Sequence, residues 1–202
     1  VKKGLIKNMA PRALTEQEKC RQCEKLLTKG MAVVMSQGVK KVSVDDIAKA
    51  AGIAKGSFYQ HFESKEKYMY ALVHEIHEQM YERVAGLIEN KSDIMSDIRG
   101  FLKNLWTMPE MIFFTQNHDE IIDIFNAMPD CRLQSAKQME EEMYARLLRL
   151  AGIDTARVKP GVVHNFLHLP CLLESNCMIE DDVPKTIELL MDALVSYIFG
   201  GN

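Results

Sequence analysis

An all-α fold is predicted for this chain of 202 residues on three observations. Apolar residues recur at helical spacing along most of its length, strand-like alternation is absent, and most prolines fall near the breaks between the periodic stretches. Pro109, Pro129, Gly152, Pro160 and Pro184 mark breaks, and Pro170 alone falls inside a predicted helix.

The first helix is expected over Thr15–Gln37, with Glu18 placed to complete a capping box with Thr15. A short second helix starts at Ser43, whose hydroxyl can accept from a free N–H of the first turn, and Asp46 adds a carboxylate near the positive helix end. Ile47, Ala48 and Ala51 make its narrow apolar face, and Gly52 can take the left-handed conformation that stops it. A third helix is expected over Lys55–Phe62, burying Phe58 and Phe62 at i, i+4. Lys55, Gly56, Ser57, Tyr59, Gln60 and His61 are left facing outward: one charge, several donors and a glycine that permits close backbone approach. Such a surface positions phosphates and has some capacity to read bases, so this pair of helices reads as a helix-turn-helix. Lys65, beside the capping Ser64, is expected to add a phosphate contact, while Arg12, Lys19, Lys40 and Lys41 supply general attraction.

The fourth helix should run from Ser64 to about Glu89, followed by helices near Ser92–Thr107, Glu110–Ala127 (broken near Asn117), Cys131–Ala151, Gly161–Cys177 and Val183–Phe199. Charge is divided to match. Residues 1–67 hold 14 Lys/Arg against 7 Asp/Glu, and residues 68–202 hold 11 against 21. A basic head on an acidic body offers one end to a polyanion and repels it elsewhere. No signal peptide or membrane span is expected, and an odd count of five cysteines without secretory context points to reduced thiols in the cytoplasm. The chain opens on Val1 rather than methionine, which leaves its natural start open.

The run from Ile47 to Glu66 resembles the DNA-binding signature of the tetracycline-repressor (TetR) family, carried by Ile47-Ala48, Ala51-Gly52-Ile53, Lys55-Gly56-Ser57-Phe58-Tyr59, His61-Phe62 and Lys65-Glu66. Upstream, Leu26-Leu27, Gly30, Val33-Val34 and Gly38 resemble the family's first helix, with Gly30 where the family usually has alanine, a swap costing about 1 kcal/mol of helix propensity. The resemblance covers about residues 20–72 and implies an N-terminal helix-turn-helix domain (1–66, with its arm) on a C-terminal helical body (67–202) for effector binding and dimerisation. It implies a ligand-responsive transcriptional regulator, by default a repressor released from a palindromic DNA operator by a small molecule. It further implies a homodimer formed by the last two long helices, here Gly161–Cys177 and Val183–Phe199. Ser43, Lys55, Gly56, Ser57, Tyr59, Gln60, His61 and Lys65 are the expected DNA-contacting residues. An activator of the same fold, or a helical interaction module without DNA binding, are the alternatives.

Candidate ligand residues come from the body. Trp106, Met111, Phe114 and Tyr144, with His118 nearby, supply bulky adaptable surface that suits either a core or a cavity. His164, His168, Cys171 and Ser175 form one helical stripe, read as pocket lining or dimer packing; three ligands without an acidic partner do not make an expected metal site. Aromatics and acids would suit a hydrophobic cation, and the histidines an anion. His74 and His77 are three apart, not the four of a zinc-protease pair, and are read as a partly exposed helix face. Cys20-x-x-Cys23 is read as a half-buried pair. No glycine-rich phosphate loop or nucleophile elbow is present, so neither an enzyme nor a cofactor is expected. The last helix is apolar around more than half its circumference, which is expected to bury Leu194 against a partner subunit.

Overall fold

The computed structural model describes residues 14–90, 93–173 and 182–200, and these form ten helices without a strand. They are α1 Glu16–Gln37, α2 Val44–Ala51, α3 Lys55–His61, α4 Lys65–Glu89, α5 Ile94–Leu105, α6 Pro109–Gln116, α7 His118–Asn126, α8 Asp130–Leu150, α9 Pro160–Leu173 and α10 Val183–Phe199. The boundaries follow local chemistry. Thr15 and Glu18 make the capping box of α1, and Ser43 and Asp46 make that of α2. Ser64 accepts from the Lys67 N–H at the start of α4. At α5 the cap is Asp93, which accepts from the Ser96 N–H; Ser92, expected to open this helix, lies outside the described residues. The expected break at Asn117 separates α6 from α7.

Two apolar clusters organise these helices. The first joins α1, α2 and α3 to the start of α4, through Leu26, Val34, Ile47, Phe58, Tyr68 and Leu72, and takes in Phe113 of α6 and Ile121 of α7. The second gathers the end of α4 with α5, α8, α9 and α10, through Ile88, Leu102, Leu148, Val163, Leu194 and Ile198. α4 crosses from one to the other: Tyr68, Met69, Leu72, Val73 and Ile76 serve the first cluster and Ile88 the second. At 1.5 Å per residue its 25 residues span about 37 Å. Phe62 is only half-buried, because it closes the aromatic group of Phe58 and Tyr68 from the outside.

Tyr68 explains Gly30. Its buried hydroxyl donates to the Leu26 carbonyl at 2.9 Å, and a Cβ on Gly30 would lie 2.2 Å from that oxygen. The glycine is therefore an accommodation to the tyrosine, which helix propensity alone does not reveal.

Leu194 is fully buried inside the single chain, within the second cluster. The expectation that it faces a partner subunit is corrected. A helix packed between α5 and α9 needs a wide apolar arc for its own core. The outward apolar residues are others: Leu189 on α10 is 58% exposed and Leu169 on α9 is 38% exposed. The α10 C-terminus is held by Arg157, whose guanidinium donates to the carbonyls of Tyr197, Ile198 and Gly200, a cation where the helix dipole favours one.

Candidate DNA-binding surface and ligand cavity

The turn between α2 and α3 is built on Gly52 at φ 70°, where the left-handed conformation disfavours a side chain. The Ile53 N–H then returns to the Ala48 carbonyl at 3.0 Å, and the fully buried Phe58 anchors α3 on the first core. With that side committed, Lys55, Gly56, Tyr59 and Gln60 stand exposed, and the space beyond Gly56 is open.

The other expected contacts are partly engaged. Lys55 Nζ pairs with Asp45 at 2.9 Å, so meeting a phosphate means exchanging a carboxylate for it. Ser43 Oγ donates to Asp46 Oδ2 at 2.6 Å within the capping box. Ser57 is half-buried. His61, expected to face outward, is half-buried and lies 3.0 Å from Gln22 Oε1 of α1; burial, and then nearby Lys19, hold its pKa below the ordinary value. Lys65 reaches the Lys40 carbonyl at 3.5 Å, which places it beside the exposed Lys40 and Lys41. Arg12 lies outside the described residues. Cys20 is exposed and Cys23 half-buried, both as free thiols, and burial followed by Cys20 and Glu75 pushes the Cys23 thiol up, away from redox reactivity.

In the body, a cavity of about 440 Å³ opens among α4, α6, α7, α8 and α9. Met111, Phe114, His118, Tyr144, His164 and His168 line it, joined by His77 of α4 and Glu140 of α8. A smaller, almost wholly apolar cavity of about 120 Å³ lies beside it and shares His77, Met80, Leu105, Tyr144 and Leu167. Trp106 lines neither; it packs into the second core with its indole N–H buried and without a partner. The Cys171 side chain and Ser175 lie outside the described residues.

The polar end of the larger cavity is a knot of imidazoles around one carboxylate. His77 Nδ1 and His164 Nδ1 sit 3.3 and 3.4 Å from the two oxygens of Glu140. The His164 and His168 rings are 4.3 Å apart, as expected for histidines one turn apart on α9. Burial works against the Glu140 carboxylate, yet the surrounding His77, His164 and His168 outweigh it and hold its carboxyl below the ordinary range. His168 is exposed at the cavity, yet the protein around it first, through desolvation, and then His164 and His77 push its pKa down to about 4. His164 is likewise lowered, mainly by burial. Neutral imidazoles keep a lone pair for a ligand.

His77 and Glu140 were not among the residues expected here. His77, expected on a partly exposed face, has a side chain only 17% exposed and is a cavity wall. Its position one turn beyond the buried Val73 was the available signal. Glu140 sits in a glutamate-rich run of α8 that reads as a solvated face, and nothing local distinguishes it from Glu141 and Glu142.

The body is tied to the helix-turn-helix at one buried polar contact. Asn117, between α6 and α7, accepts from the Val39 N–H at 2.8 Å and donates to the Phe113 carbonyl at 2.9 Å. The next residue, His118, lines the cavity.

A basic helix-turn-helix carried on a helical body that encloses a cavity defines the class of molecule. Residues 26–72 match the family described as bacterial regulatory proteins of the tetR type. An uncharacterized helix-turn-helix transcriptional regulator of Bacillus subtilis (strain 168), YvdT, is 28% identical over 104 residues, 49% of this chain and 48% of that protein. The transcriptional repressor DhaR of Mycobacterium sp. (strain GP1) is 36% identical over 67 residues, 33% of this chain and 34% of that protein. The matches thus span half or less of these relatives. A TetR-family regulator structure from Agrobacterium tumefaciens shares the fold at a TM-score of 0.55 and 16% identity, covering 88% of this chain and 97% of that one. The tetR-family match thus lies on the helix-turn-helix segment, residues 26–72.

Proposed function

We propose that the chain is a DNA-binding transcriptional regulator, with its DNA-binding head over 1–66 and its effector and dimerisation body over 67–202. A small molecule entering the 440 Å³ cavity alters its grip on a palindromic operator. The observation that carries this reading is a shared framework. α4 and α7 line the cavity, and the same two helices hold the head, α4 through Tyr68 and Leu72 and the α6–α7 junction through Asn117. A ligand that prefers one setting of α4 therefore biases the position of the α2–α3 unit. In a dimer two such units must enter major grooves about 34 Å apart, so a shift of a few ångströms spoils simultaneous contact. Coupling of about 1–3 kcal/mol gives a 5- to 150-fold change in affinity.

The proposed dimer uses the exposed apolar residues of α9 and α10, Leu169 and Leu189. Repression relieved by ligand is the proposed sense, in keeping with the name of the relative DhaR. The site of action is the cytoplasm; no described helix is long and apolar enough to cross a membrane.

An electrophoretic shift with double-stranded DNA flanking the chain's own gene tests the reading. If a dimer neutralises about 6–10 phosphates, affinity falls by about 10³–10⁵ between 50 and 200 mM salt. No retained complex, or a nearly flat salt dependence, would refute it.

A further inference from the structure

We propose that the polar end of the larger cavity is a binding site for one divalent transition-metal ion of the zinc class, ligated by Glu140, His164 and His168 with His77 as the fourth ligand. The donor atoms of Glu140, His164 and His168 all lie within 4.8 Å of one another. Closing the three on a tetrahedral metal, with bonds of about 2.1 Å, needs side-chain movements of no more than about 1.5 Å. The edge of a tetrahedron with such bonds is about 3.3–3.4 Å. His164 Nδ1 already stands 3.4 Å from Glu140 Oε2, and His77 Nδ1 flanks the other oxygen, Oε1, at 3.3 Å.

A simple ion pair does not account for the knot. His77 Nδ1 and His164 Nδ1 are buried and stand 3.3 and 3.4 Å from the Glu140 oxygens, too long and too poorly aligned for a strong charge-assisted hydrogen bond. Had the imidazoles been placed to donate to Glu140, their N–H groups would point at it; buried donors are rarely left unused. Of these groups, Glu140, His164 and His168 bring their donor atoms around a common point, and His77 borders it. Three imidazoles and one carboxylate select zinc, cobalt, nickel or copper over magnesium and calcium, which take oxygen ligands. Lys137, exposed at the cavity wall, can keep its ammonium in water. The three ligand-bearing helices are α4, α8 and α9, so an ion there fixes α4, which carries the head, against the rest of the body. That regulatory consequence rests on the proposed function; the binding itself does not.

The test uses the full chain, stripped of metal by chelation, and titrated with Zn²⁺ by calorimetry and with Co²⁺ by visible absorption. One ion per chain is expected, with the intense absorption of tetrahedral Co²⁺. Glu140→Gln, and separately His164→Gln combined with His168→Gln, should weaken binding by more than the ~10–100-fold that outer-shell changes cost. Circular dichroism verifies that each variant is folded, and His77→Gln provides a third, milder perturbation on a different helix. Cys20→Ser with Cys23→Ser should leave stoichiometry and affinity unchanged. Absence of stoichiometric binding, binding indifferent to Glu140 and the histidines, or binding lost with the cysteines would each overturn the site. DNA retention is then measured with and without Zn²⁺. A Zn²⁺-dependent change in the native chain, absent in His77→Gln, supports the regulatory link, and no change overturns that link. Failure to retain DNA under any condition refutes the regulator reading alone, since the metal titration is read without DNA.

Discussion

Gly30→Ala should destabilise the protein even though alanine is the better helix former. The substitution gains about 1 kcal/mol of propensity in the middle of α1. Against that gain, the new methyl would stand 2.2 Å from the Tyr68 hydroxyl and 3.0 Å from Ile47 Cγ2. Relief requires the tyrosine oxygen to move by about an ångström, yet the ring is fully buried and flanked by Phe58 and Phe62 at centroid distances of 5.4 and 5.2 Å. Overpacking a core of this kind costs about 1–3 kcal/mol. Displacing the hydroxyl from the Leu26 carbonyl adds about 0.5–1.5 kcal/mol. The net loss should be about 1–3 kcal/mol.

Tyr68→Phe alone should cost about 1 kcal/mol for the hydrogen bond. Combined with Gly30→Ala it removes the colliding atom, leaving the ring carbon at 3.3 Å as the nearest part of residue 68. The double variant should therefore sit near wild-type stability, with a coupling energy of about 1 kcal/mol or more in a cycle of urea denaturations. A Gly30→Ala protein as stable as wild type, or single costs that simply add, would refute the argument. The contact joins α1 to the base of α4, so the same cycle reports how firmly the head is mounted.

Other outcomes follow from the same geometry. Gln60→Ala should cost about 1–3 kcal/mol on one operator and relax preference at one position per half-site, whereas Lys65→Ala should weaken all operators alike; binding to an operator library separates the two. Asn117→Ala strands the Val39 N–H and should cost about 1–3 kcal/mol in denaturation, while reducing the effect of any cavity ligand on DNA affinity. Leu189→Asp should give monomers that keep their helicity and melting temperature, because that side chain is 58% exposed; a stable dimer in sedimentation would place the interface elsewhere. Asp46 has its carboxyl held below the ordinary range by the Ser43 hydroxyl and amide. Its contribution is present in full above the unfolded Asp value of about 3.9 and is lost as pH falls from there through the lowered folded value. Asp46→Asn should therefore lower the melting temperature at neutral pH and by progressively less in acid.

What the sequence determined by itself is local. Thr15 with Glu18, Ser43 with Asp46, and Gly52 at its positive φ mark helix ends by interactions within a few residues, so the α2–α3 unit and its outward Tyr59 and Gln60 were legible before any packing was known. The body's cavity was legible only in part. Met111, Phe114, His118, Tyr144, His164 and His168 announce themselves as bulky or polar exceptions on apolar faces, and they do share one cavity, while Trp106 has the same local signature and does not reach it. Tertiary structure alone decided the rest. Glu140 becomes distinct from its glutamate neighbours only because α8 crosses α4 and α9 where His77 and His164 point, 63 and 24 residues away in the chain. Leu194 turned inward instead of outward because α5 and α9 cover it. Gly30 answers to a tyrosine 38 positions later. Periodicity states that a face is apolar or a residue small; which neighbour makes it so depends on long-range packing, and no window of the sequence contains both partners.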